Sequence, residues 1–247
     1  MRKHLIWVSA LVIALGVSSI AFGVTKHSVK AKVAPTKQKK RAYGAASLDF
    51  TTESTCTESD TCKLNPANRV RVYIDDDLKL TSKGLPACDP DKLEGTTTAQ
   101  ARQMCKSSMV GKGSSVAFIA GQKNAPASGT GTGFNGPKQG GRPTLIVHNY
   151  VPALGRTVVL VGKLVPGTGD FGTILDVNVP PLQFGTALAK FQLKIQRSFR
   201  FKGKTRHYVT ARCFDGNKTW NFKGRDDYGS GDPPKTASTT QRCQVKR

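Results

Sequence analysis

The sequence predicts a mainly β protein, an antiparallel β-sandwich or barrel-like sheet with one short helix, stapled by disulfides. Three observations support this fold class. Short segments of alternating apolar and polar residues recur between turns that contain Gly or Pro, which is typical of antiparallel β domains. Only one stretch favours a helix, and strands do not alternate with helices. Six Cys among 247 residues provide an even number for pairing.

Residues 1–23 are predicted to be a secretory signal peptide. Arg2 and Lys3 precede twenty residues without a charged side chain, and Ala21 and Gly23 place small side chains before the cleavage position. The alternative is an uncleaved membrane anchor formed by residues 5–24, because twenty apolar residues can just span a bilayer. In either case we expect a secreted or cell-surface protein.

Residues 24–43 are predicted to be a basic, flexible linker, since the segment is rich in Lys, contains Pro35 and has little that could be buried. His27 would then lie outside the folded core. A single β-rich extracytoplasmic domain is expected over residues 44–247.

Within this domain the alternation of side chains places the strands. The predicted strands are 46–52, 69–75, 110–119, 144–151, 157–165, 173–179, 189–201, 207–213 and 218–222. Two hairpins are expected, one joining 157–165 to 173–179 and one joining 189–201 to 207–213. The helix is predicted at 96–105, with Thr96 or Thr97 as its N-cap.

The segment GTGFNG at 131–136 has the spacing of a dinucleotide-binding motif. Such a motif needs a helix directly after it to point its N-terminus at a pyrophosphate. PKQGGRP follows instead and cannot form a helix. We therefore predict a glycine-rich loop and no cofactor.

The cysteines are predicted to pair with their neighbours in sequence, because each such pair encloses a local loop. The predicted disulfides are Cys56–Cys62, Cys88–Cys105 and Cys213–Cys243. No C-x-x-C pair is present, which disfavours a zinc site. A catalytic Cys105 activated by His148 is also disfavoured, since it would leave another Cys unpaired.

Two groups of carboxylates are candidates for chemistry. Asp75, Asp76 and Asp77 could hold a cation, but a solvated turn is the better interpretation because no calcium-binding loop surrounds them. A glycan-acting enzyme needs two carboxylates on either side of a cleft. The candidates for that alternative function are Asp170, Asp176, Asp226 and Asp227. No catalytic residue and no metal site is predicted.

Positive charge is the dominant feature of the composition, with 38 Lys and Arg against 16 Asp and Glu and a net charge of +22. The most basic stretch, residues 190–206, contains seven basic residues and no acidic one. As a hairpin it would place polar side chains on one face. The predicted ligand-binding residues are Lys190, Lys194, Arg200, Lys202, Arg206, Tyr208 and Arg212. An ordinary solvated sheet face is the alternative interpretation.

Five short motifs carry a resemblance to known proteins. They are GLPAC at 84–88, CKSSMVGKGSS at 105–115, FNG at 134–136, FQLKIQR at 191–197, and YVTARCFDG at 208–216 followed by Trp220. In this order they resemble a group of uncharacterised exported β-rich proteins from high-GC Gram-positive bacteria, over residues 45–247. The resemblance implies export and a single domain, and it implies no activity.

We therefore predict an exported, non-catalytic module of the cell envelope. Its partner would be an anionic surface polymer or a membrane surface, reached by charge attraction. A nucleic-acid partner is not expected, because the chain is predicted to be exported and contains no base-reading motif.

Overall fold

The computed structural model describes residues 25–56, 62–214, 218–229 and 231–246. The predicted signal peptide or anchor lies outside the described residues. The fold class is confirmed: the chain is mainly β, forms a large antiparallel sheet and contains one short helix among the described residues.

The strands are, in chain order, β1 (Thr25–Ala34), β2 (Lys37–Gln38), β3 (Gly44–Ala45), β4 (Ser47–Cys56), β5 (Ala67–Asp75), β6 (Leu78–Leu80), β7 (Met109–Phe118), β8 (Pro126–Gln139), β9 (Arg142–Val151), β10 (Arg156–Pro166), β11 (Phe171–Asn178), β12 (Ala187–Ile195), β13 (Ser198–Phe201), β14 (Lys204–His207), β15 (Val209–Ala211), β16 (Thr219–Tyr228), β17 (Lys235–Arg242) and β18 (Gln244–Val245). The helix, α1, spans Thr98–Met104. Thr97 caps it through a reciprocal pair of hydrogen bonds with Gln100, as its predicted N-cap role requires.

Eleven strands form one sheet in the order β1-β4-β12-β7-β8-β9-β10-β11-β5-β16-β17. The sheet curves until its two edges, β1 and β17, lie side by side. A side chain bridges them: the Val33 N–H donates to Gln241 Oε1 at 2.5 Å, and Gln241 Nε2 donates to the Val33 carbonyl at 3.0 Å. The sheet is therefore nearly closed around an interior.

Alternate side chains of each strand fill this interior. In β16, Trp220 and Phe222 point inward and are fully buried. The main core joins them to apolar residues of β1, β4, β5 and β12, among them Val33, Leu48, Ile74 and Leu193. A second cluster lies on the other side of β8 and β9, where α1 and the segment before it cover Phe134 and Ile146.

The prediction of a flexible linker at residues 24–43 is corrected for residues 25–43, which the structure describes. β1 pairs with β4 along its whole length, from Thr25 opposite Cys56 to Ala34 opposite Ser47. Val29 and Val33 are buried while the lysines between them are exposed. Burial of this alternating apolar face stabilises the strand, so the folded domain begins well before residue 44.

The β10–β11 hairpin is confirmed, but the second predicted hairpin is wrong. The segment 189–201 is divided into β12 and β13, and β12 pairs with β4 and β7. β13 pairs with β14 in a small separate hairpin, while β15 pairs with β3 and β6. The strand predicted at 218–222 is confirmed as the first half of β16, but β17 and β18 follow it and were not predicted.

The three predicted disulfides are confirmed. Their Cα–Cα distances are 5.9 Å for Cys56–Cys62, 5.5 Å for Cys88–Cys105 and 5.9 Å for Cys213–Cys243, within the usual range. Cys105 is therefore not a free thiol. Cys56–Cys62 fastens Cys62 to β4, Cys88–Cys105 fastens Cys88 to the end of α1, and Cys213–Cys243 joins the segment after β15 to the residue between β17 and β18.

Candidate anion-binding surface

The basic hairpin β13–β14 projects four cations into solvent. Its exposed basic side chains are Arg200, Lys202, Lys204 and Arg206. None of the four has a carboxylate within ion-pair distance in the described part of the chain. Their charges are therefore available to a ligand.

Two aromatic side chains hold this hairpin against the domain. Phe199 packs on the edge of the main core. The ring of Phe201 lies directly over Gly84, where a Cβ would come within 2.3 Å of two ring carbons. Gly84 also has φ +89, a conformation that L side chains rarely adopt. The position of the hairpin thus depends on a glycine in the loop beneath it.

A second basic surface lies on the outer face of β1, β4, β12 and β7, and we call it the basic wall. It consists of the exposed lysines Lys26, Lys30, Lys32, Lys112, Lys190 and Lys194, with Asp49 and Glu53 among them. Lys190 forms an ion pair with Glu53 at 3.7 Å. The predicted residues Lys190 and Lys194 thus lie on a different element from Arg200, Lys202 and Arg206.

One row of the wall follows from strand register. Lys32 and Lys194 both lie opposite Asp49, and Lys194 lies opposite Lys112 on its other side. The Asp49 carboxylate accepts hydrogen bonds from Gln192 Nε2 at 3.0 and 3.2 Å. Beyond Lys112 the row continues to Thr132, whose hydroxyl accepts a hydrogen bond from Arg102 Nε at 3.0 Å.

Two predicted ligand-binding residues have structural roles instead. Tyr208 is fully buried, and burial raises the pKa of its hydroxyl, so it cannot reach a ligand on the surface. Arg212 Nε donates to Asp77 Oδ1 at 2.5 Å. Its guanidinium also stacks between the rings of Tyr43 and Phe214, at 5.0 and 4.6 Å from their centroids.

Asp75 and Asp77 do not form a solvated turn, as both are fully buried. Asp75 accepts hydrogen bonds from the backbone N–H groups of Asp77 and Asn221, at 2.9 and 2.7 Å. Asp77 accepts from the Phe214 N–H at 2.6 Å. Desolvation raises the pKa of Asp75 to about 7. Among the described residues no group of three metal-ligating side chains converges, and these carboxylates fasten the end of β5 and the turn before β6 to Arg212, Phe214 and Asn221.

Of the four carboxylates considered for a glycan-acting enzyme, Asp170 is exposed in the β10–β11 turn, and the other three are engaged within the fold. Arg69 pairs with Asp176 through two hydrogen bonds, at 2.7 and 2.5 Å. Asp227 pairs with Arg71 and Arg225 on the outer face. Asp226, its neighbour on β16, points into the interior, so the two carboxylates lie on opposite sides of the sheet.

Asp226 belongs to a buried polar cluster beside the β1–β17 seam. Its Oδ2 lies 3.4 Å from His27 Nδ1, and Ser54 Oγ lies 3.1 Å from the same nitrogen. A nucleophilic triad needs the serine and the carboxylate on different imidazole nitrogens. Ser54 and Asp226 therefore do not have that geometry. The hydroxyl on the other nitrogen belongs to Thr52, whose Oγ1 lies 3.5 Å from His27 Nε2 in a buried residue.

A groove of about 630 Å³ lies between the loop 81–87 and the β8–β9 turn. Its lining includes Lys83, Lys138 and Asn135 and no carboxylate. The groove adjoins the basic hairpin, because Gly84 forms part of its lining and lies beneath Phe201.

Compared with known protein families, curated proteins and solved structures, the chain matches none of them. The resemblance to exported β-rich proteins of Gram-positive bacteria therefore stays a prediction. In the described part of the chain, no helix has both the length and the apolar character to cross a membrane.

Sequence reasoning missed the lysines of β1 and Lys112 as members of the surface. The alternation of Lys30 and Lys32 with Ala31 and Val33 was a signal for β1. Lys112 carried no comparable signal, because its place beside Lys194 depends on the pairing of β7 with β12.

Proposed function

We propose that this protein is an exported, non-catalytic module of the cell envelope that binds anionic surface polymers. One observation carries the proposal: the hairpin β13–β14 presents Arg200, Lys202, Lys204 and Arg206 to solvent, without a carboxylate partner in the described chain. The basic wall adds further exposed lysines, two of them on β12, the strand that precedes the hairpin in the chain.

Electrostatics favours an extended, multiply charged ligand. A single exposed ion pair contributes only about 0–1 kcal/mol, so one anion on one lysine would bind weakly. A polymer that contacts several cations adds these contributions within one complex. The hairpin suits this role because its aromatic side chains fix its backbone before binding, which lowers the ordering cost.

Export is supported by the basic and apolar N-terminal sequence and is compatible with three disulfides. An exported cationic surface would meet the acidic polymers or lipid headgroups of the envelope first. We favour a polymer as the ligand and treat binding to anionic vesicles as the competing result.

The hairpin can be tested by neutralisation. Arg200, Lys202, Lys204 and Arg206 are replaced together by Gln, and binding to a poly(glycerol phosphate) polymer is measured by calorimetry at several salt concentrations. We expect affinity to fall at least about tenfold, because four contacts of up to about 1 kcal/mol each are lost. The salt dependence of binding should weaken as well.

A matched control removes the same amount of charge elsewhere. Lys92, Lys106, Arg142 and Arg156 are exposed and lie outside the hairpin and the wall. Their joint replacement by Gln should leave most of the affinity. Equal losses in the two variants would mean that net charge alone drives binding, and unchanged binding in the hairpin variant would overturn the proposal.

A further inference from the structure

We infer that Lys112 and Lys194, with Lys32 at the edge, form a phosphate-binding subsite on the basic wall, which takes the phosphodiester groups of a linear polymer. The identity of the polymer rests on the proposed function, whereas the phosphate subsite itself does not depend on the hairpin.

The pairing of these two lysines is the first argument. Lys112 and Lys194 are directly opposite each other on neighbouring strands, where like charges are destabilising. Both are exposed, and neither has a carboxylate within ion-pair distance in the described residues. An anion bound between them would remove the repulsion.

The same sheet contains a second pair of like charges, whose repulsion a neighbouring carboxylate relieves. Arg71 and Arg225 are also directly opposite each other, on β5 and β16. Asp227 lies beside them and pairs with both guanidinium groups. The nearest acid to Lys112 and Lys194 in the row is Asp49, which lies on the far side of Lys194 and binds Gln192. The lysine pair therefore lacks the internal anion that the arginine pair has.

The surrounding groups favour a tetrahedral oxyanion. Ammonium groups act as point charges and do not offer the planar fork that matches a carboxylate. A phosphate oxygen can accept from each ammonium group while its remaining oxygens point elsewhere. Ser114 and Thr130, paired on the adjacent row of β7 and β8, add hydroxyl donors beside the lysines.

The shape of the wall favours a polymer over a bilayer. Lys32 and Lys112 lie on strands three positions apart in the sheet, which separates them by about 14 Å at the usual strand spacing. The nearly closed sheet makes its outer face convex. A flexible chain of phosphodiesters can follow this curvature across the strands, whereas a flat membrane touches a convex surface at one line.

The test uses inorganic phosphate as the probe, with acetate at equal ionic strength as the planar comparison. Phosphate should shift the backbone amide resonances of Gly111 and Gly113, which flank Lys112, more strongly than acetate does. In the Lys112→Gln, Lys194→Gln double variant, the apparent Kd for phosphate should rise at least about fivefold.

A control on the same wall replaces Lys26 and Lys30 by Gln. These lysines are exposed and lie opposite Thr55 and Thr51 rather than another lysine, so phosphate binding at Lys112 should persist. Equal weakening in both double variants, or equal shifts with acetate, would overturn the subsite.

Two further measurements separate the proposals. The hairpin variant should keep the phosphate shifts at Gly111 and Gly113. If this variant loses polymer binding but retains phosphate binding, the proposed function is weakened and the phosphate subsite stands. Poly(glycerol phosphate) should compete with phosphate for the wall. If only phosphatidylglycerol vesicles competed, the assignment to a linear polymer would be wrong.

Discussion

Folding shifts the pKa values of the buried neighbours His27 and Asp226 in opposite directions. Burial lowers the pKa of His27. Desolvation, with a smaller contribution from Asp227, raises the pKa of Asp226 to about 7. As pH falls below about 7, the folded protein gains a proton on Asp226 before the unfolded chain does, whereas the unfolded chain gains a proton on His27 before the folded protein does. The two effects on the pH dependence of stability therefore oppose each other.

Replacing Asp226 by Asn should expose the titration of His27. Because burial lowers the pKa of His27, the unfolded variant binds more protons than the folded variant as pH falls below 6.5, so its free energy of unfolding should decrease by up to about 1.4 kcal/mol per pH unit. Urea unfolding at pH 5, 6, 7 and 8 measures the effect. In the unchanged protein the raised pKa of Asp226 opposes this decrease, so its stability should fall less toward pH 5 than that of the variant.

Asp227→Asn provides the control for this prediction. Burial raises the pKa of Asp227, but hydrogen bonds from Arg71 and Arg225 outweigh it, and the net shift is downward. This carboxylate stays ionised from pH 5 to 8, so its loss should lower stability by the same amount at each pH. A pH-independent difference for Asp226→Asn would contradict the opposing pKa shifts of His27 and Asp226.

Among the elements, the glycine-rich strand β8 departs most from the sequence-based expectation. The segment 131–136 lies inside β8 rather than in a loop. Its glycines face those of β7, with Gly131 opposite Gly113 and Gly133 opposite Gly111. A Cβ on Gly113 would come within 1.9 Å of the Gln192 carbonyl oxygen. Glycine is therefore needed here for a close approach of β12 and not for a turn.

Gly113→Ala should destabilise the protein, because the methyl group meets backbone that cannot rotate away. Overpacking of this kind costs about 1–3 kcal/mol. Gly133→Ala on the paired strand should cost much less, since its nearest neighbours are Leu193 methyl groups at 3.5 and 3.6 Å. Thermal and guanidinium unfolding compare the two variants, and equal stability would refute the close approach of β12.

The elements that sequence predicted correctly depend on local information. The β10–β11 hairpin, α1 with its cap and the three neighbouring disulfides each involve residues close together in the chain. The failures involve pairing between distant segments. The break between Ile195 and Ser198 was hidden because apolar and polar residues continue to alternate on both sides of it.

The candidate site was predictable only in part for the same reason. The charges of the hairpin could be found from the basic stretch alone. The row of Lys32, Lys194 and Lys112 could not, since it combines three strands whose register is set by the core residues beneath them. Tyr208 was predicted to lie on the surface because it follows Arg206 by two positions in an alternating pattern of side chains. β14 ends at His207, so that alternation does not extend to Tyr208.

On the scale of the whole molecule, the seam between β1 and β17 supports both stability and the basic wall. β1 is the first edge strand of the sheet and contributes three of the six wall lysines. Among the described residues, β1 and β17 are not joined by the ladder of backbone hydrogen bonds that joins the other neighbouring strands of this sheet. Gln241 replaces part of that ladder by satisfying both backbone groups of Val33, so a side chain fixes the wall where main-chain pairing stops.

Gln241→Ala should therefore loosen β1 before the rest of the sheet. The Val33 N–H and carbonyl, which lie in a buried residue, would lose their partners at a cost of about 1–3 kcal/mol. Hydrogen exchange should accelerate most in the amides of β1, and the lysine row should lose phosphate affinity because Lys32 becomes mobile. Thr240→Ala, which alters the exposed neighbour on the same strand, is the control. Unchanged exchange in β1, or acceleration spread evenly over the sheet, would show that the apolar contacts of Val29 and Val33 hold the seam without Gln241.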